Sequence, residues 1–217
     1  MVRIEEIINP DTKLYHATTS NYVKSLFDGI QISKCDTQTD FGQGFYLTTN
    51  LKQAKKWAFT KENEHNRTEE KKQIKQRTSY ANYVKGVIVV YNMRLQGITP
   101  FEFNTHVFPT ADLRWGDFVY RNRSFIDHPQ FNNRNKDIDI VYGPLADGNG
   151  LMGMIDDVDN GEMEVPDFYN NILSEHYVLN GFDQLSVHTP RAIETLLWKE
   201  VILPHELRRK QKTRIRG

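Results

Sequence analysis

Cysteine is almost absent from this 217-residue chain, where Cys35 stands alone. One thiol excludes an internal disulfide framework and a zinc site built on paired cysteines, and it fits a reducing compartment. Long apolar runs are missing too. The most apolar stretch, Val87 to Tyr91, is far too short to span a bilayer. The opening MVRIEEIINP has no apolar core of the kind a signal peptide needs. A cytoplasmic protein with no membrane partner is therefore expected. Charge of one sign is lacking as well. Lys+Arg and Asp+Glu both number 28, so no global field draws in nucleic acid or anionic lipid.

Several catalytic signatures are also missing. Asp40-Phe41-Gly42 has the letters of the kinase metal-binding triplet, but no glycine loop or lysine strand precedes it and no catalytic loop follows, so the match is a coincidence. Gly42-Gln43-Gly44 lacks the third glycine and the ribose-binding acid of a dinucleotide turn. His16, His65, His106, His128, His176, His188 and His205 never pair at HExxH spacing. The acidic stretch Asp156 to Glu162 misses the calcium-loop register, because Val158 falls where a ligand is needed. No metal site is expected.

What is present is a mixed run of short elements. Lys13–Ala17, Gln43–Thr48, Val84–Tyr91, Asp137–Tyr142, Phe182–His188 and Glu200–Leu203 read as strands. Ser20–Gly29 reads as a short helix with Ser20 or Asn21 at its cap. Asn50 can cap a helix whose Leu51, Ala54, Trp57 and Ala58 form an inward stripe, and Trp57 and Trp115 are assigned to the core. The polar stretch Lys61 to Arg77 reads as a solvated helix or a mobile loop. Pro109 is taken to open a helix bearing Leu113, Phe118, Val119 and Asn122; Pro166–Leu179 is another. Leu145 to Glu164 reads as an irregular surface excursion. Thr189 should cap a helix that starts at Pro190 and carries Ile193, Leu196 and Leu197. Strands and helices do not alternate regularly, which argues α+β rather than a doubly wound parallel sheet. One domain is expected over residues 1–203, with insertions near 61–80 and 145–165, followed by a basic tail, 204–217.

Three segments stand out: Leu14-Tyr15-His16-Ala17-Thr18-Thr19, Asp40 to Thr48 (DFGQGFYLT), and Phe182 to Thr189 (FDQLSVHT). They resemble the three signature strands of the ADP-ribosyltransferase superfamily, in its branch with a His–Tyr–Glu triad. The resemblance is to a bacterial, toxin-like group of unknown-function domains within it. That group looks like LYHGT, then DFGxGFYxTT with a QAxxWA helix, here Gln53-Ala54-Lys55-Lys56-Trp57-Ala58. A Trp…Phe…Asn-Arg helix is matched by Trp115, Phe118, Asn122 and Arg123, and a GPxAD segment by Gly143 to Asp147. The ordered set covers residues 12 to 200.

The resemblance implies a split, mainly antiparallel sheet core flanked by helices, and NAD as co-substrate. It implies that His16 meets a ribose hydroxyl, that the backbone at Ala17 and Thr18 holds the nicotinamide amide, and that Tyr46 stacks on the nicotinamide ring. Gln184 stands where the family triad has Glu. An amide can bond the ribose 2′-hydroxyl, yet it brings no negative charge to the forming cation. Asp183 cannot easily replace it, because neighbours on a strand face opposite ways. Arg123 is assigned to the NAD pyrophosphate, Asn122 and Asp147 to a ribose or the acceptor.

The function implied is mono-ADP-ribosyl transfer to a macromolecule by a toxin or defence effector, with an antitoxin protein as partner. The basic run Arg208, Arg209, Lys210, Lys212, Arg214 and Arg216 tips the acceptor slightly toward nucleic acid, RNA in particular, over protein. It reads equally as a solvated end. Two rivals stand beside the transferase: a module that binds NAD or ADP-ribose without cleaving it, and an NAD hydrolase. His188 and Thr189 are given structural roles.

Overall fold

A computed structural model describes residues 2–77, 80–94, 103–128, 132–146, 150–172 and 181–205. The basic tail from residue 206 on, Asp147, His176 and the end of the expected 166–179 helix lie outside the described residues.

The first strand, β1, spans Leu14–Thr19. A 3-10 turn then leads into α1 (Val23–Asp28), which ends at Gly29 with φ 142°, a conformation suited to glycine. Neither Ser20 nor Asn21 caps α1. The Ser20 hydroxyl instead accepts the Lys85 N–H at 3.1 Å, and the Asn21 side-chain oxygen accepts the Thr19 hydroxyl at 2.7 Å.

After β2 (Phe45–Leu47), Asn50 caps α2 (Leu51–Gln76) by accepting from the N–H groups of Lys52 and Gln53. The polar half of α2 is helical through Gln76, and Arg77 closes it in the left-handed region. Its side chains serve as backbone partners for the chain that runs back alongside. Asn66 bonds both the N–H and the C=O of Val84, at 2.9 and 3.1 Å, and His65 bonds the Asn82 carbonyl at 2.9 Å. Trp57 is not core: it is 38% exposed, while Gln53, Ala54, Ala58 and Glu62 are the buried residues of α2.

The long strand β3 (Gly86–Met93) is followed by β4 (Thr105–Val107) and α3 (Leu113–Arg123). Pro109 lies ahead of α3. The cap is Asp112, whose carboxylate accepts the Trp115 N–H at 2.9 Å, and Leu113 faces solvent. β5 (Ile140–Pro144) precedes α4 (Leu151–Asp159) and α5 (Val165–Ile172). The stretch after Leu145 is therefore not a surface excursion, since Ile155 on α4 is fully buried against α3 and α5.

β6 (Asp183–Val187) leads through α6 (Pro190–Ile193) to β7 (Leu196–Ile202). Pro190 opens a helix of only four residues, and Thr195 closes it with two bonds to the Ala192 carbonyl. Leu196 and Leu197 therefore pair with Met93 and Asn92 in β7 rather than lying on the helix. The Thr189 hydroxyl makes no cap because it donates to the Asp139 carboxylate at 2.5 Å.

The strands form two sheets, ordered β1-β3-β7 and β2-β6-β5-β4. All ladders are antiparallel except β4–β5. One isolated bridge, Tyr15 with Thr48, joins the sheets. Leu14, Val89 and Tyr91 from the first sheet and Phe45, Leu47, Ile140, Leu185 and Val187 from the second share one core. A second core lies under α3, α4 and α5, around Phe41, Phe108, Trp115, Phe118, Ile155 and Phe168. α2 covers β1 and β3 with Ala54 and Ala58. The architecture is α+β with two mostly antiparallel sheets.

Candidate active site where the two sheets part

Tyr15 and Thr48 exchange two backbone hydrogen bonds, at 2.8 and 3.0 Å, and there the β1–β2 pairing stops. The next residue, His16, reaches across with its side chain. Its Nδ1 lies 2.7 Å from the Tyr46 carbonyl, so it carries the proton and donates. The imidazole stacks on Phe45, with ring centroids 4.2 Å apart. Burial, then the positive charge of Lys61, push the pKa of His16 down to about 4, against the pull of the Tyr46 carbonyl. The ring is therefore neutral near pH 7. Its Nε2 is an acceptor that takes no bond from any described residue.

One residue further on, the open edge of β1 matters. Backbone groups on a strand point alternately to either side. Tyr15 points toward Thr48, so Ala17 points the same way, into the space where the strands have separated. Among the described residues its N–H and C=O have no partner, and they form a donor–acceptor pair beside His16. Thr18 and Thr19 then line a cleft of about 320 Å³ with Lys61, His65 and Thr68 of α2.

Tyr46 and Gln184 lie on the opposite side of the gap. Both fall on the same face of their sheet, because Tyr46 pairs with Ser186 and Gln184 is two residues back on β6. The Tyr46 hydroxyl accepts from Phe41 N–H at 2.8 Å and donates to the Gly42 carbonyl at 2.9 Å. This fixes the ring on the 41–46 turn, and burial raises the phenol's pKa. Gln184 is 5% exposed, and its amide nitrogen donates to Asp40 at 2.5 Å and to the Pro144 carbonyl at 3.1 Å. Its Oε1 takes no hydrogen bond from a described residue.

His16, Tyr46 and Gln184 thus belong to one connected set, linked through the Tyr46 carbonyl and the Asp40–Gly42 turn. Arg123 and Asn122 have other partners. Arg123 donates from Nε to Asp40 at 2.6 Å and from Nη1 to the Gln38 carbonyl at 3.1 Å, which holds the guanidinium against the 38–40 segment. Asn122 uses both ends of its amide on backbone, accepting from Asn133 N–H and donating to the Phe118 carbonyl. His188 is fully buried; its Nδ1–H donates to the Gln43 carbonyl and its Nε2 accepts from Ser186.

Two carboxylates were missed as site residues by sequence reasoning. Asp40 is 2% exposed and receives Gln184, Arg123 and the Ala146 N–H. Asp183 is 7% exposed and receives the hydroxyls of Thr48, Thr49 and Tyr142 and the Thr49 N–H. The signal for both was an acid embedded among residues otherwise reading as buried strand, since a buried charge requires partners. Among the described residues, no group of His, Cys, Asp or Glu is placed to hold a metal ion, and no helix is long and apolar enough to cross a membrane.

No curated protein and no solved structure matches the chain. A family model does match, over residues 12–198, from just before β1 into β7. The chain therefore belongs to the family described as "Protein of unknown function (DUF3990)".

Proposed function

We propose that this protein is an NAD-dependent mono-ADP-ribosyltransferase. The reading rests on one observation: where the sheets part, a neutral imidazole, a strand-edge amide, a fixed tyrosine and an amide oxygen lie in one set, and no described residue bonds the imidazole's Nε2, the edge amide or the amide oxygen. His16 Nε2 suits a ribose hydroxyl. The Ala17 N–H and C=O suit the carboxamide of nicotinamide, which needs one donor and one acceptor. Tyr46 offers an aromatic face to the nicotinamide ring. Gln184 Oε1 suits the ribose 2′-hydroxyl.

In the step proposed, the bond between C1′ and the nicotinamide nitrogen breaks and its electron pair leaves with nicotinamide. A lone pair of the acceptor then forms the new bond to C1′, and the acceptor's proton passes to solvent. The protein's contribution is to hold the ribose and to place negative potential near the oxocarbenium-like centre. The acceptor proposed is a macromolecule, with nucleic acid, RNA or DNA, slightly ahead of protein on the strength of the basic C-terminal run. A toxin or defence role with an antitoxin partner goes with that reading.

The neutral side chain of Gln184 favours a second reading, a module that holds NAD without cleaving it. Incubation with adenylate-labelled NAD and cell extract, followed by separation of RNA, DNA and protein, decides between them. Label is expected in one fraction, and its loss in folded Tyr46→Ala and Gln184→Ala proteins. Intact NAD binding with neither label nor free nicotinamide would leave the binding module. Nicotinamide and ADP-ribose without a labelled fraction would leave a hydrolase.

A further inference from the structure

We propose that Asp40 is the positioning residue for Gln184: it fixes which end of the amide faces the gap and makes that end more negative. This rests on the reading of Gln184 as the group that meets the ribose.

The amide nitrogen of Gln184 has two protons and two acceptors, Asp40 Oδ2 and the Pro144 carbonyl. Turning the amide over would press Oε1 against a carboxylate and a carbonyl with no proton between them. The orientation is therefore set by chemistry, and Oε1 is left to face a ligand. An amide that donates to a carboxylate in a buried site is polarised, and its oxygen accepts more strongly. Asp40 in turn is fixed by Arg123 Nε at 2.6 Å and the Ala146 N–H at 3.2 Å. Arg123 therefore acts at one remove, as the ion-pair partner that keeps Asp40 in place.

The pair also accounts for the glutamine itself. A glutamate at 184 would set two carboxylates within hydrogen-bond distance in a buried site, and one would have to hold a proton. With aspartate at 40, glutamine is the residue that fits, and the carboxylate sits one place behind its usual position in the triad.

Two measurements on the full chain test this. In side-chain amide NMR, the Gln184 Nε2 proton that faces Asp40 should be shifted downfield, and Asp40→Asn should move it back upfield while the proton on the Pro144 carbonyl changes little. Gln184 resonances indifferent to Asp40→Asn would overturn the pairing whether or not the protein turns NAD over. In nicotinamide release, Asp40→Asn should lower turnover about 10- to 100-fold, the range for groups that orient a reacting side chain, with NAD affinity nearly unchanged. Asp40→Asn combined with Arg123→Met should lose as much, and it avoids leaving a buried guanidinium unpaired. An Asp40→Asn enzyme as fast as the parent would show that Asp40 only braces Arg123. A parent protein that releases no nicotinamide while its Gln184 signals respond as expected would count against the transferase reading and leave the pairing standing.

Discussion

His16 and His188 are both held neutral, and the consequence is a stability that depends on pH. Each falls from an ordinary value of 6.5 to about 4, chiefly through burial. A depressed folded-state pKa means that the unfolded chain binds the proton first. Stability is then fully present above pH 6.5 and falls as pH drops toward 4. For the fully buried His188 this amounts to on the order of 3 kcal/mol. Urea unfolding between pH 7 and 4 should show this loss. His188→Gln should lower stability at pH 7 and yet flatten the slope; a slope unchanged in that variant would place the titration elsewhere. His16 also feels Lys61. Removing that charge in Lys61→Met should move His16's titration upward, though still below 6.5, because burial is the larger cause. A His16 titration by NMR that stays put or moves down would mean that Lys61 does not face the gap. At this scale, residue type and order single out His16, Tyr46 and Gln184 as candidates, and the structure links them in one hydrogen-bonded set, but Asp40 was not legible. Nothing in the spacing of a sequence says that residues 40 and 184 touch, and Asp40 carried a misleading resemblance to a kinase triplet.

At the scale of elements, α2 shows why apolar periodicity was only partly a guide. The stripe Leu51, Ala54, Trp57, Ala58 identified the helix and put Trp57 in the core. The buried face actually runs through Gln53, Ala54, Ala58 and Glu62. Two of those are polar, and each stands in for a backbone partner. Gln53 bonds both main-chain groups of Asp183, at 2.7 and 3.1 Å, and Glu62 accepts the Gly86 N–H at 2.7 Å. A pattern that counts only apolar residues rotates such a helix toward its tryptophan. The same blindness hid α4, whose Gly, Asp and Met content suggested a loop. It served well where burial is two-sided and apolar, as in β3. The helix lies close because β3 begins with glycine: a Cβ on Gly86 would sit 2.2 Å from the Ala58 carbonyl oxygen. Backbone cannot yield there, so Gly86→Ala should lift α2 from the sheet and cost about 1–3 kcal/mol. Denaturant melts would measure it, and an unchanged midpoint would mean that α2 is free to shift.

At the scale of the molecule, two sheets share a core and, among the described residues, are joined by one backbone bridge, beside which the Asp183 carboxylate gathers its partners. It accepts from Thr48, Thr49 and Tyr142, and Thr48 is the residue that pairs with Tyr15. β6, the end of β2, β5 and, through Thr48, β1 are all tied at this point. The open edge at Ala17 begins just beyond it, so the shape of the candidate site depends on where this bridge ends. Asp183→Ala would remove the acceptor shared by the buried Thr48 and the half-buried Thr49 and Tyr142, so a loss of about 1–3 kcal/mol is expected. Asp183→Asn should cost less, since an amide oxygen still serves some of them. The more telling readout is hydrogen exchange. If the carboxylate holds the bridge, the Tyr15 and Thr48 amides should exchange faster in Asp183→Asn while the amides of Ile88 and Val90, in the centre of the first sheet, keep their protection. Loss of protection throughout would mean that the two sheets unfold as one unit. Unchanged protection at Tyr15 and Thr48 would mean that the shared core alone fixes the geometry of the gap, and that Asp183 matters to stability without shaping the site.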